Sequence, residues 1–479
     1  MGCTFRGMSA ALDPTTALLF DRLAVREPLP LAARIIAEHV LPPKFLDQVF
    51  EGSRRQQYPR DLPFSVVVAL MVAVVTNTAS SLHRAIQRMG DTMPVAFQAV
   101  YPKVAGTELE VSEALLTKTA TRAAGLVRAL NATLPPLVPG RRARIVDGMH
   151  IEATERRLKV LRGVAAGPLP GFVLALLDPA LGLVTDVIAC EDGHANERSL
   201  TDRLLALLAA GDCLIGDRNF CTLPILFGCR ARNASFLIRQ HGNLMGEVVG
   251  ERQKIATRPD GVVFEQQVRL RADDGREMLV RRITLELVEP TRHGEAALHL
   301  LTDIPASELD AELALAIYRE RWQIEKAFGD LALWLHAEIR PLGYPRAALL
   351  GVSAAFVSYN IVSVVRASLR VVHGAAWVAE KLSNFHLAST IQEGAGATNL
   401  LTEAELKPYR KMTPAAVAVI LLDLAHRAHR SSLEKARQRG PKKPPPPRNR
   451  FKNSAHVSTY KLLEEERQKR GKKKSSGSP

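Results

Sequence analysis

The chain has 479 residues, of which 47% are hydrophobic and 24% charged, and it carries a formal net charge of +15. That length exceeds one ordinary domain, and the apolar content supplies two or three packed cores, which excludes a wholly disordered chain. The charge is uneven: residues 427–479 hold 17 Lys/Arg against 4 Asp/Glu, which leaves about +2 on everything before them. The composition thus implies an anionic partner, met by a general polyanion-binding tail and by placed patches elsewhere.

From about Leu18 to Leu134 the pattern is helical: LAARIIAEHVL, a Val-rich run, SSLHRAIQRM and VSEALLTKTATRAAGLVRAL, with Ser112 as a candidate cap of the last. The run LPFSVVVALMVAVV (62–75) is 14 residues long, short of the ~18 needed to cross a bilayer, and contains Pro63 and Ser65. It predicts a buried helix and no membrane partner. The first 20 residues lack the charged-then-apolar layout of a signal peptide. The five cysteines (Cys3, Cys190, Cys213, Cys221, Cys229) form no C-x2-C pair, so structural zinc is not expected; reduced thiols and a cytoplasmic location are.

Prolines and basic residues in LPPLVPGRRAR close the helical region, and the period then changes. ARIVDGMHIEATE, FVLALLDPALG and LVTDVIACEDG read as strands, the last two joined through a Pro/Gly turn. A helix from about Glu197 to Ala210, a buried strand CLIGD, a helix around Leu223 to Arg232 and a strand SFLIRQ follow. Residues 241–295 break the rhythm with VVFEQQVRLR and EMLVRRITLELVE around ADDG and after RPDG, which are hairpin signals. This segment reads as an antiparallel insertion, after which ALHLLTD resumes the main sheet and one long helix runs through SELDAELALAIYRERWQIEKAFGDLALWL. Helices are expected from about Pro345 to Val372 and from Glu403 to Arg430, then a low-complexity tail expected to be disordered.

Three acids stand out by position. Asp147 lies in the first strand, Asp217 ends the buried strand LIGD beside Gly216, which would let the backbone approach closely, and Glu325 lies on the long helix. Within YRERWQIE, Tyr318, Arg321 and Glu325 fall within about 60° on one helix face, while Ile317, Ile324, Phe328 and Leu331 share a neighbouring apolar arc. An aspartate at a strand end is also a turn former, and an Arg/Glu pair at i,i+4 also a solvated ion pair. The order is more specific: a strand Asp, a meander, a second strand Asp and a late helical Glu resemble the layout of ribonuclease H-like nucleases.

IVDG, IGDRNF and YRERWQIE resemble the three acidic motifs of the DDE transposases of bacterial insertion sequences, specifically the insertion sequence four family, whose third motif is Y-x2-R-x3-E-x6-K after a β-rich insertion. The resemblance covers about residues 141–345, with weaker similarity in YPRAALLGVSAAFVSYNIVSVV. Ala332 stands where that family has its lysine, and Lys326 is the nearest lysine on the helix. The departure bears on one DNA contact and leaves the acids intact.

The resemblance implies an α/β fold. A ribonuclease H-like catalytic domain (141–345, β insertion about 241–295) would lie between a helical DNA-binding region (1–140) and a C-terminal helical region (346–430) with a basic disordered tail (431–479). It implies a transposase that cleaves the ends of an insertion sequence and joins the 3′-OH ends to target DNA by cut-and-paste. Asp147, Asp217 and Glu325 would hold two Mg²⁺ ions, replaceable by Mn²⁺, with Asp147 bridging; hard cations prefer such oxygens, and two of them about 3.5 to 4 Å apart can activate the nucleophile and neutralise the leaving oxygen. Tyr318, Arg321, Arg218, Asn219 and Arg239 would contact DNA. The implied partners are double-stranded DNA, as terminal inverted repeats and target, and a second copy in a synaptic homodimer at the nucleoid. His150 and His194 read as loop or core residues rather than metal ligands, and Asn196 and Glu197 as helix caps first and site residues second. Trp322, Trp334 and Trp377 all lie outside the insertion, where relatives carry a base-stacking tryptophan, so Phe264 would have to substitute. A metal-dependent nuclease of the same fold and an inactive DNA-binding remnant are the alternatives.

Overall fold

Proline sets the first helix starts. α1 (Pro14–Arg26), α2 (Pro28–Val40) and α3 (Pro43–Ser53) each begin at one, where the missing N–H costs nothing and φ is already helical. The computed structural model describes residues 14–58, 61–151, 154–244, 246–291, 294–333, 335, 342–435 and 455–475. α4 (Phe64–Val75) is the Val-rich run and is largely buried, as its composition predicts. α5 (Leu82–Met89) is capped by the Ser81 hydroxyl, which accepts the Arg84 N–H; α6 (Phe97–Ala105) and α7 (Leu109–Ala129) follow. Ser112 is not a cap: α7 starts three residues before it, and its side chain is buried inside the helix.

The strands are β1 (Arg142–His150), β2 (Gly167–Leu169), β3 (Phe172–Asp178), β4 (Leu183–Cys190), β5 (Asp212–Gly216), β6 (Ser235–Arg239), β7 (Glu247–Arg258), β8 (Gly261–Arg271), β9 (Glu277–Leu287) and β10 (Ala297–Thr302). All but β2 join one nine-stranded sheet in the order β4-β3-β1-β5-β6-β10-β9-β8-β7. β1 pairs antiparallel with β3 and parallel with β5, and β5 parallel with β6. That is the ribonuclease H-like half of the sheet. The insertion extends it: β10 pairs antiparallel with both β6 and β9. β7 carries mostly exposed polar side chains and has no apolar alternation to reveal it in the sequence.

Alternation along β1 divides the interior. Ile145 faces the larger core and Val146 the smaller one, which lies under α8 (Thr201–Ala206) and α9 (Leu223–Ala231). The larger core continues into α10 (Ala311–Glu320), α11 (Trp322–Leu333) and α12 (Pro345–His373). The single long helix expected here is two, broken at Arg321. α12 is long and apolar enough to cross a membrane by length and composition, yet 94% of its most apolar window is buried inside the protein. Its Asn360 amide bonds both backbone groups of Val184 on β4, accepting at 2.9 Å and donating at 2.7 Å.

α13 (Ala375–Glu380), α14 (Asn384–Thr398), α15 (Glu403–Leu406), α16 (Pro414–Arg427) and α17 (Arg430–Leu433) complete the helices before the tail. α14 and α16 pack on α2, and α12 packs on α4 and α7. The helices at the two ends of the chain therefore form one body, where the sequence reading separates them. The tail also departs from expectation: β11 (His456–Ser458) pairs in parallel with β2, and α18 (Thr459–Ser475) follows it. The residues of this segment that are buried, Ser458 and Thr459, are polar, so the composition of the tail gives no sign of the docking. Among the described residues Cys190, Cys213, Cys221 and Cys229 are free thiols; Cys3 lies outside them.

Candidate active site

β1 and β5 run side by side, parallel, through Ile145↔Ile215. Two residues beyond that pair, Asp147 still lies within β1, opposite Ala175 of β3, whereas Asp217 directly follows the end of β5; α11 packs against β1. Asp217 also serves as a turn former, its Oδ1 accepting the Asn219 N–H at 2.8 Å. Gly216 works differently from expectation, since a Cβ there would lie 3.2 Å from Phe220 and Val146 and meet packing, not a ligand.

The third acid arrives through the break between α10 and α11. Asp310 caps α10 by accepting the Leu313 N–H at 2.8 Å. At the break the Arg321 N–H bonds Tyr318 O and the Ile324 N–H bonds Arg321 O, both three-residue spacings that tighten the turn. Tyr318, Arg321 and Glu325 still meet. Arg321 Nη2 lies 2.6 Å from Glu325 Oε1, and its Nη1 lies 3.5 Å from Asp147 Oδ2. The guanidinium carbon is 5.9 Å from the Tyr318 ring. Tyr318 is only 8% exposed and hydrogen-bonds the Arg321 side chain, so it supports that arginine from within the core rather than standing open to DNA. The apolar arc packs as expected, with Ile317, Ile324 and Leu331 buried.

Glu197, which the sequence places at a helix cap, is a fourth acid at the site, close to Asp217 and Asp147. Asn196 does the capping, its side chain accepting the Arg198 N–H. Glu197 instead reaches over the β1 backbone: a Cβ on Gly148 would collide with its Oε1, so the glycine after Asp147 keeps that approach open. Burial, then Asp217 and Asp147, push the Glu197 carboxyl up to about 7, against a hydrogen bond from the Asn219 side chain. Burial pushes Asp147 up to about 6; Arg321 and the Gly148 N–H oppose this, and Asp217 and Glu325 add to it. The site holds more negative charge than its one guanidinium balances.

Residues 139–361 match the family described as a transposase DDE domain. The matched segment runs from just before β1 into α12 and contains Asp147, Glu197, Asp217 and Glu325. No curated protein matches the chain. Among solved structures, the chain is similar to a piggyBac transposase synaptic complex with hairpin DNA solved by cryo-EM, at 11% identity, covering 81% of this chain and 86% of that one with a TM-score of 0.38.

Near the acids of the matched segment, Arg239 and Arg218 converge on Glu295 at 2.6 and 3.2 Å, an ion-pair partner at the end of the insertion with no signal in the sequence. Phe264 lies under the Arg252 guanidinium, 3.7 Å from its ring centroid, whereas Trp322 beside the helix break is 56% exposed. Trp334 lies outside the described residues. His150 is the last residue of β1 and holds the Gly193 carbonyl at 3.1 Å, whereas His194 is an exposed loop residue. Ala332 belongs to α11, and Lys326 on the same helix is exposed.

Among the described residues no three His, Cys, Asp or Glu side chains are gathered into a metal-ion cage. The donor chemistry nonetheless fits a hard divalent cation: every candidate ligand is a carboxylate, and the raised values of Asp147 and Glu197 mark charge that a cation would relieve. Arg321 now supplies the positive charge between Asp147 and Glu325.

Proposed function

We propose that this chain is a DNA transposase of the insertion sequence four type, cleaving the ends of a mobile element and joining its 3′-OH ends to target DNA. The observation that supports the reading is the Arg321 guanidinium at the helix break, which faces both Asp147 of β1 and Glu325 of α11, with Asp217 just after β5, the parallel neighbour of β1. Asp147, Asp217 and Glu325 would hold two Mg²⁺ ions, with Mn²⁺ as a substitute. Bound there, the metal supplies Lewis-acid activation of the attacking oxygen and neutralisation of the leaving one.

The protein's own groups orient the reaction. Tyr318 fixes the Arg321 guanidinium, which becomes available to a phosphate once a cation takes over its carboxylate partners. Arg218, Asn219 and Arg239 line the way from Asp217 to the insertion; DNA phosphates would compete there with Glu295 for both arginines. Glu197, protonated more readily than an ordinary carboxyl, can hold a proton beside the acids at neutral pH. End recognition falls to the helices before Pro135 and to the insertion, and the synapsis of two ends calls for two copies of the chain in the cytoplasm. The test is a strand-transfer assay with supplied DNA ends and Mg²⁺. Joined products support the transposase, nicks alone the nuclease of the same fold, and a gel shift alone the inactive remnant.

A further inference from the structure

β11 and α18 come from the far end of the chain yet dock on the loops that leave Asp147 and lead to Glu197. The Gly167 N–H donates to the Ala455 carbonyl at 2.9 Å, β11 runs along β2 from His456↔Gly167 to Ser458↔Leu169, and Lys461 Nζ lies 3.1 Å from Asp192. α18 then packs on the Lys159–Leu161 turn. This brings two basic segments together. Residues 155–162 hold Arg156, Arg157, Lys159 and Arg162 against Glu155, and residues 455–475 hold seven Lys/Arg against three Glu. Between them lies a cleft of about 270 Å³ whose lining includes Lys159, Tyr344, Glu466, Arg467 and Arg470. Its one carboxylate, Glu466, is already paired with Arg470 at 2.8 Å, and Tyr344 is 48% exposed.

We propose that this cleft is a phosphate-backbone site for duplex DNA, assembled only when the C-terminal segment is docked. The inference rests on the DNA reading above and adds where the duplex is held. Four carboxylates at the candidate active site repel a polyanion, so the attraction must come from beside them. The cleft supplies it with Lys159, Arg467 and Arg470, the two arginines paired with Glu464 and Glu466 along the exposed face of α18, and with a half-exposed tyrosine whose hydroxyl can donate to a phosphate oxygen. Such contacts carry no sequence information and position the duplex.

Equilibrium binding of a random-sequence duplex, without divalent cation and across a range of salt concentrations, tests the site. Replacing Lys159, Arg467 and Arg470 together by alanine should weaken binding about tenfold or more at low salt and lower the log–log salt slope by about 2 to 3, near one unit for each lost phosphate contact. Val457→Pro keeps every charge but removes a β11 N–H, and it should lose affinity in the same way. If Val457→Pro binds as the wild type does, the segment acts as an undocked polycation and the inference falls. It falls equally if the triple variant keeps its salt slope. A wild-type protein that binds no duplex at all would instead remove the transposase reading, so the two failures are told apart.

Discussion

The Arg321 guanidinium lies 2.6 Å from the Glu325 carboxylate one turn further along the chain. Its other nitrogen reaches Asp147, so one cation balances two acids and competes with any divalent ion they bind. Arg321→Ala leaves those half-buried carboxylates uncompensated and is expected to destabilise the metal-free protein by about 1 to 3 kcal/mol. Added Mg²⁺ should shrink that deficit. Thermal unfolding with and without Mg²⁺ measures both; a deficit that Mg²⁺ leaves unchanged would make the contact a purely structural ion pair.

Asp147→Asn, Asp217→Asn and Glu325→Gln each keep the shape of the side chain and lose the charge that holds a cation. Each should reduce strand cleavage on the order of 10³-fold, the equivalent of several kcal/mol of lost charge stabilisation, with end binding largely retained. Cleavage of a labelled end by each variant beside a gel shift is the measurement. Near-normal cleavage by any one of them removes that residue from the site.

The pH dependence has a definite sign. Asp147 and Glu197 titrate near 6 and 7 in the folded protein, above an ordinary carboxyl, so the folded state holds their protons more tightly than the unfolded chain does. Their contribution to stability is present in full below about pH 4 and is lost as pH rises through about 6 and 7. The double variant Asp147→Asn/Glu197→Gln should therefore gain about 1 to 3 kcal/mol over the wild type near pH 8 and almost nothing near pH 4, a range discounted for partial exposure. Denaturant unfolding at the two pH values decides it, and a gain independent of pH would point to a packing effect.

Asn360 on α12 serves the edge strand β4 as a neighbouring strand would, satisfying both backbone groups of Val184 inside the core. Asn360→Leu keeps the branching and heavy-atom count of the side chain and strands one buried donor and one buried acceptor. It should cost about 2 to 4 kcal/mol. Urea unfolding of the variant checks this, and a cost below about 1 kcal/mol would mean that water reaches the edge.

What the sequence disclosed followed from physical contrast. β1, β3, β4 and β5 are legible because runs such as FVLALLD are buried on both faces, and the acids because each stands against an apolar run: Asp147 within β1, Asp217 just after β5 and Glu325 on α11. β7 stayed hidden because a polar edge strand has neither alternation nor an apolar run. The break at Arg321 was invisible too, since a helix that tightens for one turn keeps its periodicity, and Glu197 joined the site only through a fold that carried it over Gly148. Tyr318 was correctly grouped with Arg321, but its burial depends on tertiary packing that spacing does not report.

The ladder that joins β6 to β10 and β10 to β9 makes the insertion a rigid lever rather than a hinged flap. Among the described residues, hydrogen-bonded neighbours run from β5 through β6, β10 and β9 to β8, and the register shifts of the outermost hairpin lie between β8 and β7. A force applied at that hairpin is therefore felt at β5 without a joint to absorb it, and the amides from β5 to β9 should exchange with solvent as one cooperative unit. Whatever the hairpin grips must do the bending.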